Sequence, residues 1–320
     1  MTNNRSHSGF YDKSPLYQLF VSLLIILSVG SLLFFLFFLA GKLVFGADLG
    51  LLGNPSLAAG EKEVTFLRYI LISQDISFFI VPSLIILIKL NPGYQFGIMN
   101  IKMPQITDVI LVVFLAFCLF PVTSFTGQLN SGMDLPDWLS GVEQWMKEKE
   151  DYATHLLDIL MTPDSFGAVV LNILMIAVMP AIGEELIFRG VFQRIFHNLF
   201  NSGHISVWVT SFLFSTIHFQ FFGFVPRFIL GLVFGYLFLW SKSLWLPVIS
   251  HFTNNAVPTV GAYMKGWETI NAPADLSLWK QLMGVTVPAI IGIVILVYFR
   301  NKAGKNRSAD LDKPLITNYD

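Results

Sequence analysis

The segment AIGEELIFRG, residues 181–190, places two adjacent glutamates and an arginine inside one of the most apolar regions of the chain. A charged side chain at the centre of a bilayer costs roughly 2.5–3.5 kcal/mol on insertion scales. Three charged groups in one such segment therefore indicate mutual pairing, a function, or both. Further polar residues follow in later apolar stretches, first His218 and then His251 with Asn255. We interpret the chain as a bundle of helices built around these polar groups.

The composition is that of a membrane protein. Of the 320 residues, 54% are hydrophobic and 13% are charged, whereas soluble domains carry about 25% charged residues. The mean hydropathy is +0.64. The formal net charge of −1 shows no basic excess, which argues against nucleic acid as a partner. The single cysteine, Cys118, excludes an intrachain disulfide.

Apolar stretches long enough for membrane helices occur eight times. A helix needs about 20 mostly apolar residues to cross the hydrocarbon core. The first stretch is longer than the apolar part of a cleavable signal segment, so we expect it to remain as the first span. The predicted fold class is all-α, a polytopic membrane protein of about eight transmembrane helices. These cover about residues 17–45, 66–90, 106–127, 165–198, 204–222, 226–242, 244–263 and 281–299.

The distribution of Lys and Arg predicts the orientation in the cell membrane. Basic residues collect in the N-terminal arm 1–16, near Arg194 and Lys242, and in the tail 301–320. By the positive-inside rule these regions face the cytoplasm, and an even number of spans places both termini there. The tail is polar throughout, so we expect it to be disordered.

The connection between the third and fourth spans is rich in Asp and Glu. The same topology places it on the outer side of the membrane. Residues 139–161 within it have the pattern of a helix that lies along the membrane surface, with Trp138 and Trp145 at the interface. The simpler alternative is a solvated connecting segment.

Helix geometry separates the two glutamates. Glu185 and Arg189 are four residues apart, so they share a helix face and can form an ion pair. Glu184 points about 100° away from that face. One carboxylate is then neutralised within its own helix, while the other is free to face the bundle interior and act as a general base. The alternative is an intrahelical ion pair with a spare polar residue beside it.

The later polar residues follow the same four-residue spacing. His251 and Asn255 share a helix face, and both can donate hydrogen bonds, so together they can hold a developing oxyanion. Asn254 points off that face and suits helix–helix hydrogen bonding. His218 follows Phe214 by four residues, nearer the outer end of its helix than His251 is of its own. A tilted or longer fifth helix is therefore needed to bring the two histidines to one depth.

Other polar groups in the spans are weaker signals. Gln74 and Asp75 in the second span either line the central cavity or bond to a neighbour, and we favour the neighbour. Asn172 in the fourth span is interpreted as structural. Gly231 and Gly235 form a small-xxx-small pattern in the sixth span, which permits close helix approach.

Three motifs now stand in order along the chain, and together they resemble the CAAX-protease and bacteriocin-processing family of intramembrane proteases. This family, also called the Abi family, includes the Ras-converting CAAX endopeptidase. Each motif alone is weak, but their order, spacing and placement in membrane helices are specific, and they cover roughly residues 165–260. The motifs are Glu184-Glu185-x-x-x-Arg189, Phe214-x-x-x-His218 and His251-x-x-x-Asn255.

The resemblance implies an eight-helix intramembrane endopeptidase whose catalytic cavity lies within the bilayer. By motif position, Glu184 and His218 would bind and activate the attacking water. His251 and Asn255 would form the oxyanion pocket, and Glu185 with its arginine partner would support the site. The membrane domain is then residues 17–300, with the peptidase core at about 165–260, and the partners are the lipid bilayer and a peptide or membrane-protein substrate.

The need for a metal is left open by these residues. Glu184, His218 and His251 are a donor set that suits zinc with one position open for water, and the family is labelled a metalloprotease family in places. The chain has no His-Glu-x-x-His helix, and we favour a site without a cofactor. Nothing in the sequence indicates a prenylated substrate. The alternatives to a peptidase are a proton-coupled transporter or channel, or a non-catalytic immunity or scaffold protein of the same fold.

Overall fold

The structure is a computed structural model that describes residues 10–46, 60–90, 104–132, 135–161, 165–266 and 277–311. Every regular element in these ranges is helical, which confirms the all-α class. Residues 1–9 of the predicted arm and 312–320 of the predicted tail lie outside the described residues. Nine helices of at least 14 residues are described. They are α1 (Pro15–Phe45), α2 (Glu61–Leu90), α3 (Ile106–Ser131), α4 (Ser140–Leu160), α5 (Phe166–Phe200), α6 (Gly203–Thr216), α7 (Phe224–Ser241), α8 (Trp245–Lys265) and α9 (Leu278–Leu311).

Eight of these helices correspond to the eight predicted spans, and α4 is the predicted surface helix. Within the described residues, six are long and apolar enough to cross a membrane, namely α1, α2, α3, α5, α7 and α9. Helix α6 has 14 residues, fewer than the roughly 20 of a full span, and α8 carries the polar residues of the third motif. The chain is a multi-pass membrane protein.

The tail that was predicted to be disordered from residue 301 is helical as far as Leu311. Helix α9 continues past residue 300 to Leu311, because the segment from Asn301 to Leu311 has no proline to stop it. Lys302 also fastens this part of the helix to α3, since its Nζ atom lies 2.7 and 2.8 Å from the two carboxylate oxygens of Asp108.

Helix α5 lies at the centre of the bundle. Its residues Leu186, Phe188 and Ile195 are almost fully buried in the largest apolar cluster of the described chain, together with Ile86 of α2 and Phe214 of α6. This packing surrounds the charged motif of α5 with apolar side chains and excludes lipid from it.

Glycines allow the helices that carry the motifs to approach closely. A Cβ atom on Gly183 of α5 would lie 2.9 Å from the Cβ atom of Phe79 in α2, a distance that a real side chain does not tolerate. On α7, a Cβ atom at Gly231 or Gly235 would meet Ser211 or Val207 of α6 at 3.0 or 2.9 Å. The small-xxx-small pattern of α7 therefore forms the close helix contact expected of it.

Helix α4 is joined to the bundle by a buried polar bridge. The Nε atom of Arg68 in α2 donates to the Oδ1 atom of Asn172 in α5 at 2.9 Å, and the Nδ2 atom of Asn172 donates to the carbonyl of Leu160 in α4 at 2.5 Å. The interpretation of Asn172 as a structural residue agrees with these contacts. At the other end of α4, the ring of Trp145 lies 5.2 Å from that of Phe221, in the loop after α6.

Candidate active site

The first part of the site is a buried hydrogen-bonded network, in which Oε2 of Glu185 and Nε of Arg189 have no hydrogen-bond partner among the described residues. Arg189 donates through Nη1 to Oε1 of Glu185 at 2.9 Å and through Nη2 to the carbonyl of Gly231 at 3.0 Å. The Nδ1 atom of His251 lies 2.9 Å from the same Glu185 oxygen. An ionised carboxylate only accepts hydrogen bonds, so Nδ1 of His251 carries a proton. The side chains of Glu185 and Arg189 are both 0% exposed, and each charge is offset by the other.

Aromatic rings enclose this network. The guanidinium carbon of Arg189 lies 4.8 Å from the ring centre of Phe214 and 5.5 Å from that of Phe234, within the range of cation–π attraction. The imidazole of His251 stacks on Phe234 at 5.0 Å. These contacts restrict the orientation of both polar side chains, and they exclude water from the ion pair.

Glu184 faces away from the network, as the helix geometry predicted. Its Oε1 atom lies 4.0 Å from Nε2 of His218, and its Oε2 atom lies 3.9 Å from Nε2 of His251. Neither separation is a direct hydrogen bond. The Oε2 atom is buried and has no hydrogen-bond partner among the described residues. The Glu184 side chain is 12% exposed, so the carboxylate faces a small gap between two imidazole rings.

His218 lies outside α6, the helix that corresponds to the fifth predicted span. The prediction that His218 is part of a membrane span is therefore wrong. Helix α6 ends at Thr216, and the chain then turns through Phe219, whose φ is +51°. The Nδ1 atom of His218 is 2.7 Å from the carbonyl of Phe214, so Nδ1 donates and Nε2 presents its lone pair towards Glu184. The expectation of a longer helix is therefore wrong, since a shorter helix followed by a turn brings His218, like His251, to within about 4 Å of Glu184.

The amide of Asn255 has its oxygen and one of its two N–H groups engaged in hydrogen bonds. Its Nδ2 atom donates to the carbonyl of Ile176 in α5 at 3.0 Å. Its Oδ1 atom accepts from Nδ2 of Asn254 at 3.3 Å. Each amide nitrogen has two protons, so Asn255 retains one N–H for another acceptor. Asn254 thus supports its neighbour rather than a separate helix.

Three π-helical turns border these residues. They span Asp75–Ile80 in α2, and Leu174–Val178 and Leu186–Phe192 in α5. Such turns shift the side chains that follow them and are frequent at functional sites. The second contains Ile176, the acceptor for Asn255, and the third contains Arg189. Sequence periodicity alone gives no sign of these turns.

Two charged residues near Glu184 were undervalued or missed in the sequence. Asp75 was expected to bond to a neighbour, but its buried side chain makes no hydrogen bond within the described ranges and lies close enough to Glu184 to interact electrostatically. Arg227 of α7 interacts electrostatically with Glu184 and His218 and donates to Gln220 in the loop that carries His218. The position of Asp75 inside an apolar span could have indicated a place in the site. Arg227 stands at the start of a span, where a basic residue is common, so its position gave no such indication.

The described residues contain no group of three or more His, Cys, Asp and Glu side chains arranged to hold a metal ion. Glu184, His218 and His251, the set that suits zinc, are near one another but do not form such a group. Independence from a metal stays a prediction.

Comparisons with known proteins support the resemblance seen in the motifs. Residues 166–257 match the family model described as type II CAAX prenyl endopeptidase Rce1-like. This segment runs from α5 into α8 and includes all three motifs. A stretch of 90 residues, 27% of the chain, is 28% identical to the uncharacterized protein YpbD of Bacillus subtilis (strain 168). The match covers 43% of that relative, so the chain spans less than half of its length. No solved structure matches the chain.

Proposed function

We propose that this protein is an intramembrane endopeptidase of the CAAX-protease and bacteriocin-processing type, with a peptidase core at about residues 165–260. The observation that carries the proposal is the position of Glu184. Its two carboxylate oxygens face the Nε2 atoms of His218 and His251 at 4.0 and 3.9 Å, whereas Oε1 of the adjacent Glu185 lies 2.9 Å from both Arg189 and His251. A buried carboxylate without a partner is expensive in a membrane, and catalysis is a reason to keep one.

The distance between Glu184 and His218 suits one bridging water. A water that makes hydrogen bonds of about 2.8 Å to both atoms reaches across a 4.0 Å separation with an angle near 90° at its oxygen. Both protein atoms are acceptors, so the water donates both of its protons to them. Its lone pairs are then directed outwards, where a peptide carbonyl can be attacked.

The reaction then follows from the proton positions. Glu184 removes a proton from the water as the oxygen attacks the scissile carbonyl carbon. The tetrahedral intermediate carries its negative charge on the former carbonyl oxygen, to which the remaining N–H of Asn255 donates. Glu184 returns the proton to the leaving amine, the carbon–nitrogen bond breaks, and a peptide carboxylic acid and a free amine are released. The acid then loses the second proton of the former water to His218 or to solvent and becomes a carboxylate.

His251 joins the oxyanion pocket only with a second proton. Its Nδ1 proton is held by Glu185, so the neutral ring presents a lone pair at Nε2. Protonation at Nε2 gives an imidazolium that donates to the oxyanion and is stabilised by the Glu185 carboxylate. The Arg189–Glu185 network is thus the support that orients His251 and balances its charge.

A peptide reaches this site from the side of His218. Of the three residues that surround the water position, His218 has the most exposed side chain, at 25%, against 12% for Glu184 and 6% for His251. The loop that carries His218 contacts α4 through Phe221 and Trp145. The substrate class is a peptide or a membrane-protein segment that enters between these elements.

Cleavage by the purified protein in liposomes tests the proposal. The probes are a fluorescence-quenched farnesylated CAAX peptide and an unprenylated hydrophobic peptide of the same sequence. Wild type and the control Glu61→Gln, an exposed carboxylate at the start of α2, should cleave at least one probe. Glu184→Gln and His218→Gln should not, and cleavage should survive dialysis against a chelator.

Other results would redirect the assignment. Equal cleavage by all four proteins would contradict the proposed site. Proton or ion flux without cleavage would favour a transporter or channel, and neither activity with either probe would favour a non-catalytic immunity or scaffold protein. Activity that the chelator abolishes and zinc restores would contradict the metal-free mechanism.

A further inference from the structure

A second polar cavity lies between the ends of α5, α6 and α7, next to the N-terminal turn that precedes α1. Its volume is about 340 Å³. Three of its lining residues can carry positive charge, namely Arg194, His197 and Lys242, and none of its lining residues is acidic. The cavity therefore has room for a small group and a charge that favours an anion.

Arg194 is the strongest indication that the cavity has a ligand. The Nη1 atom of its guanidinium is buried and has no hydrogen-bond partner among the residues that the structure describes. A buried guanidinium N–H without an acceptor is costly, even where the rest of the side chain is only half-buried, as it is in Arg194. An anion in the cavity would satisfy this group directly.

The other lining residues complete a site with both charge and hydrogen bonds. Lys242 follows the last turn of α7 in the left-handed conformation, with φ of +57°. Gln193 is 2% exposed, and its Nε2 atom donates to the carbonyl of Gly235. Its Oε1 atom is buried without a partner in the described ranges, so it can accept a hydrogen bond from a ligand hydroxyl. Asn198 and Tyr11 add polar groups at the rim.

We propose that this cavity binds a phosphate-bearing anion, with Arg194 and Lys242 as the principal ligands. Arg forms paired hydrogen bonds with phosphate oxygens, and Lys contributes a mobile positive charge. The phosphate belongs either to a phospholipid headgroup, since the cavity lies at the end of membrane helices, or to a soluble phosphate or phosphate ester. Both sources share the chemistry that the cavity recognises.

The cavity is separate from the candidate active site. Gln193 lies nine residues after Glu184, a distance of about 14 Å along a helix. The cavity lining includes neither catalytic histidine, Glu184 nor Asn255. Loss of binding here and loss of peptidase activity are therefore different outcomes.

Native mass spectrometry of the full chain in dodecyl maltoside tests the proposal. The lipid probes are phosphatidylglycerol and a galactosyl diacylglycerol, which has the same kind of tails without phosphate. Wild type should retain phosphatidylglycerol in preference to the galactolipid. Arg194→Gln combined with Lys242→Gln should weaken that retention about ten-fold or more, because charge-assisted hydrogen bonds are lost. The matched control is Lys89→Gln combined with Arg300→Gln, which removes the same charges from exposed positions.

Inorganic phosphate, titrated by calorimetry, distinguishes the two sources. Phosphate binding that the Arg194 and Lys242 changes weaken assigns the cavity to a soluble anion, and selective lipid retention without phosphate binding assigns it to a headgroup. Lys242→Gln alone, at an exposed position, should weaken the same binding several-fold if the double variant does not fold. Equal retention of both lipids with no phosphate binding, or an equal loss in the matched control, would overturn the proposal.

Discussion

Glu185 has its carboxylate 2.9 Å from both Arg189 and His251, whereas the carboxylate of Glu184, one residue earlier, stands 3.9–4.0 Å from the two imidazole nitrogens that face it. The two residues have the same chemistry and share one helix. They differ only in the face on which each lies, and one face is closed by Arg189 while the other opens to a gap.

This difference suits two different roles, structural support for Glu185 and the proposed reaction for Glu184. The Glu185 network pairs opposite charges, buries both side chains completely and orients one nitrogen of His251. It also links α5 to Gly231 of α7 and His251 of α8, while Glu184 on the next face of α5 lies beside the two histidines. The unpaired carboxylate is therefore held in place by the paired one, and substitutions at the two positions should have opposite signatures.

Replacing Glu184 should have the largest effect of these substitutions, and it should act on the cleavage rate and not on stability. Glu184→Gln keeps the size of the side chain but removes the proposed base, so cleavage should fall by about 10²–10⁴-fold. The thermal unfolding temperature in detergent should not fall, because Glu184 has no hydrogen bond or close ion pair to lose among the described residues. A large fall in unfolding temperature with normal activity per folded molecule would reverse the roles of the two glutamates.

Replacing Arg189 should instead act on stability. Arg189→Leu leaves the buried Glu185 carboxylate without its countercharge, which typically costs about 3–5 kcal/mol. The free energy of unfolding from a denaturing-detergent titration measures the loss. Lys302→Leu, which breaks the partly exposed pair with Asp108, is the matched control and should cost less. An Arg189→Leu protein as stable as the wild type would show that the network is not a support.

Replacing Asn172, which lies away from the candidate active site, should also lower the free energy of unfolding, but by less. Asn172→Ala removes two buried hydrogen bonds, the one that Nε of Arg68 donates and the one that the Leu160 carbonyl accepts, at a cost of about 1–3 kcal/mol. The same unfolding titration should detect this loss, while the cleavage rate per folded molecule stays unchanged. A rate loss without a stability loss would assign Asn172 to the active site.

The smallest effect is expected on the surface of α4. The hydrogen bond from Lys147 lowers the pKa of Glu143 below its ordinary value. A lowered pKa stabilises the fold at neutral pH, and this contribution is lost as the pH falls through the lowered pKa. Lys147→Ala should raise the pKa towards its ordinary value, measured by NMR of labelled glutamate. Activity and unfolding temperature should not change measurably, since exposed pairs contribute little.

The sequence predicted the relative positions of these motif residues because both members of each pair lie in the same helix. His251 and Asn255 are four residues apart in the regular helix α8, whose geometry places them on one face. Glu185 and Arg189 are also four residues apart, and they form the predicted pair although a π-helical turn begins between them. The helices themselves were predicted from their apolar length, and most of their bounds agree within a few residues.

Features that depend on contacts between distant segments were not predictable in this way. The turn at Phe219 brings His218 beside Glu184, but its residues are as apolar as a helix and carry no glycine or proline before Gly223. The contact between Lys302 and Asp108, which extends α9, joins residues 194 positions apart. The role of Asp75 was predicted from the sequence of its own helix, α2, whereas the charged residue near it, Glu184, belongs to α5.

A single turnover in water labelled with ¹⁸O tests the central claim most directly, because it follows the attacking oxygen itself. Glu184 as a base predicts that the label enters the new carboxylate of the cleaved peptide and that none enters the Glu184 side chain, as read by mass spectrometry of both. Label in the Glu184 carboxylate would show that this residue attacks the substrate itself, and would contradict a water held between Glu184 and His218.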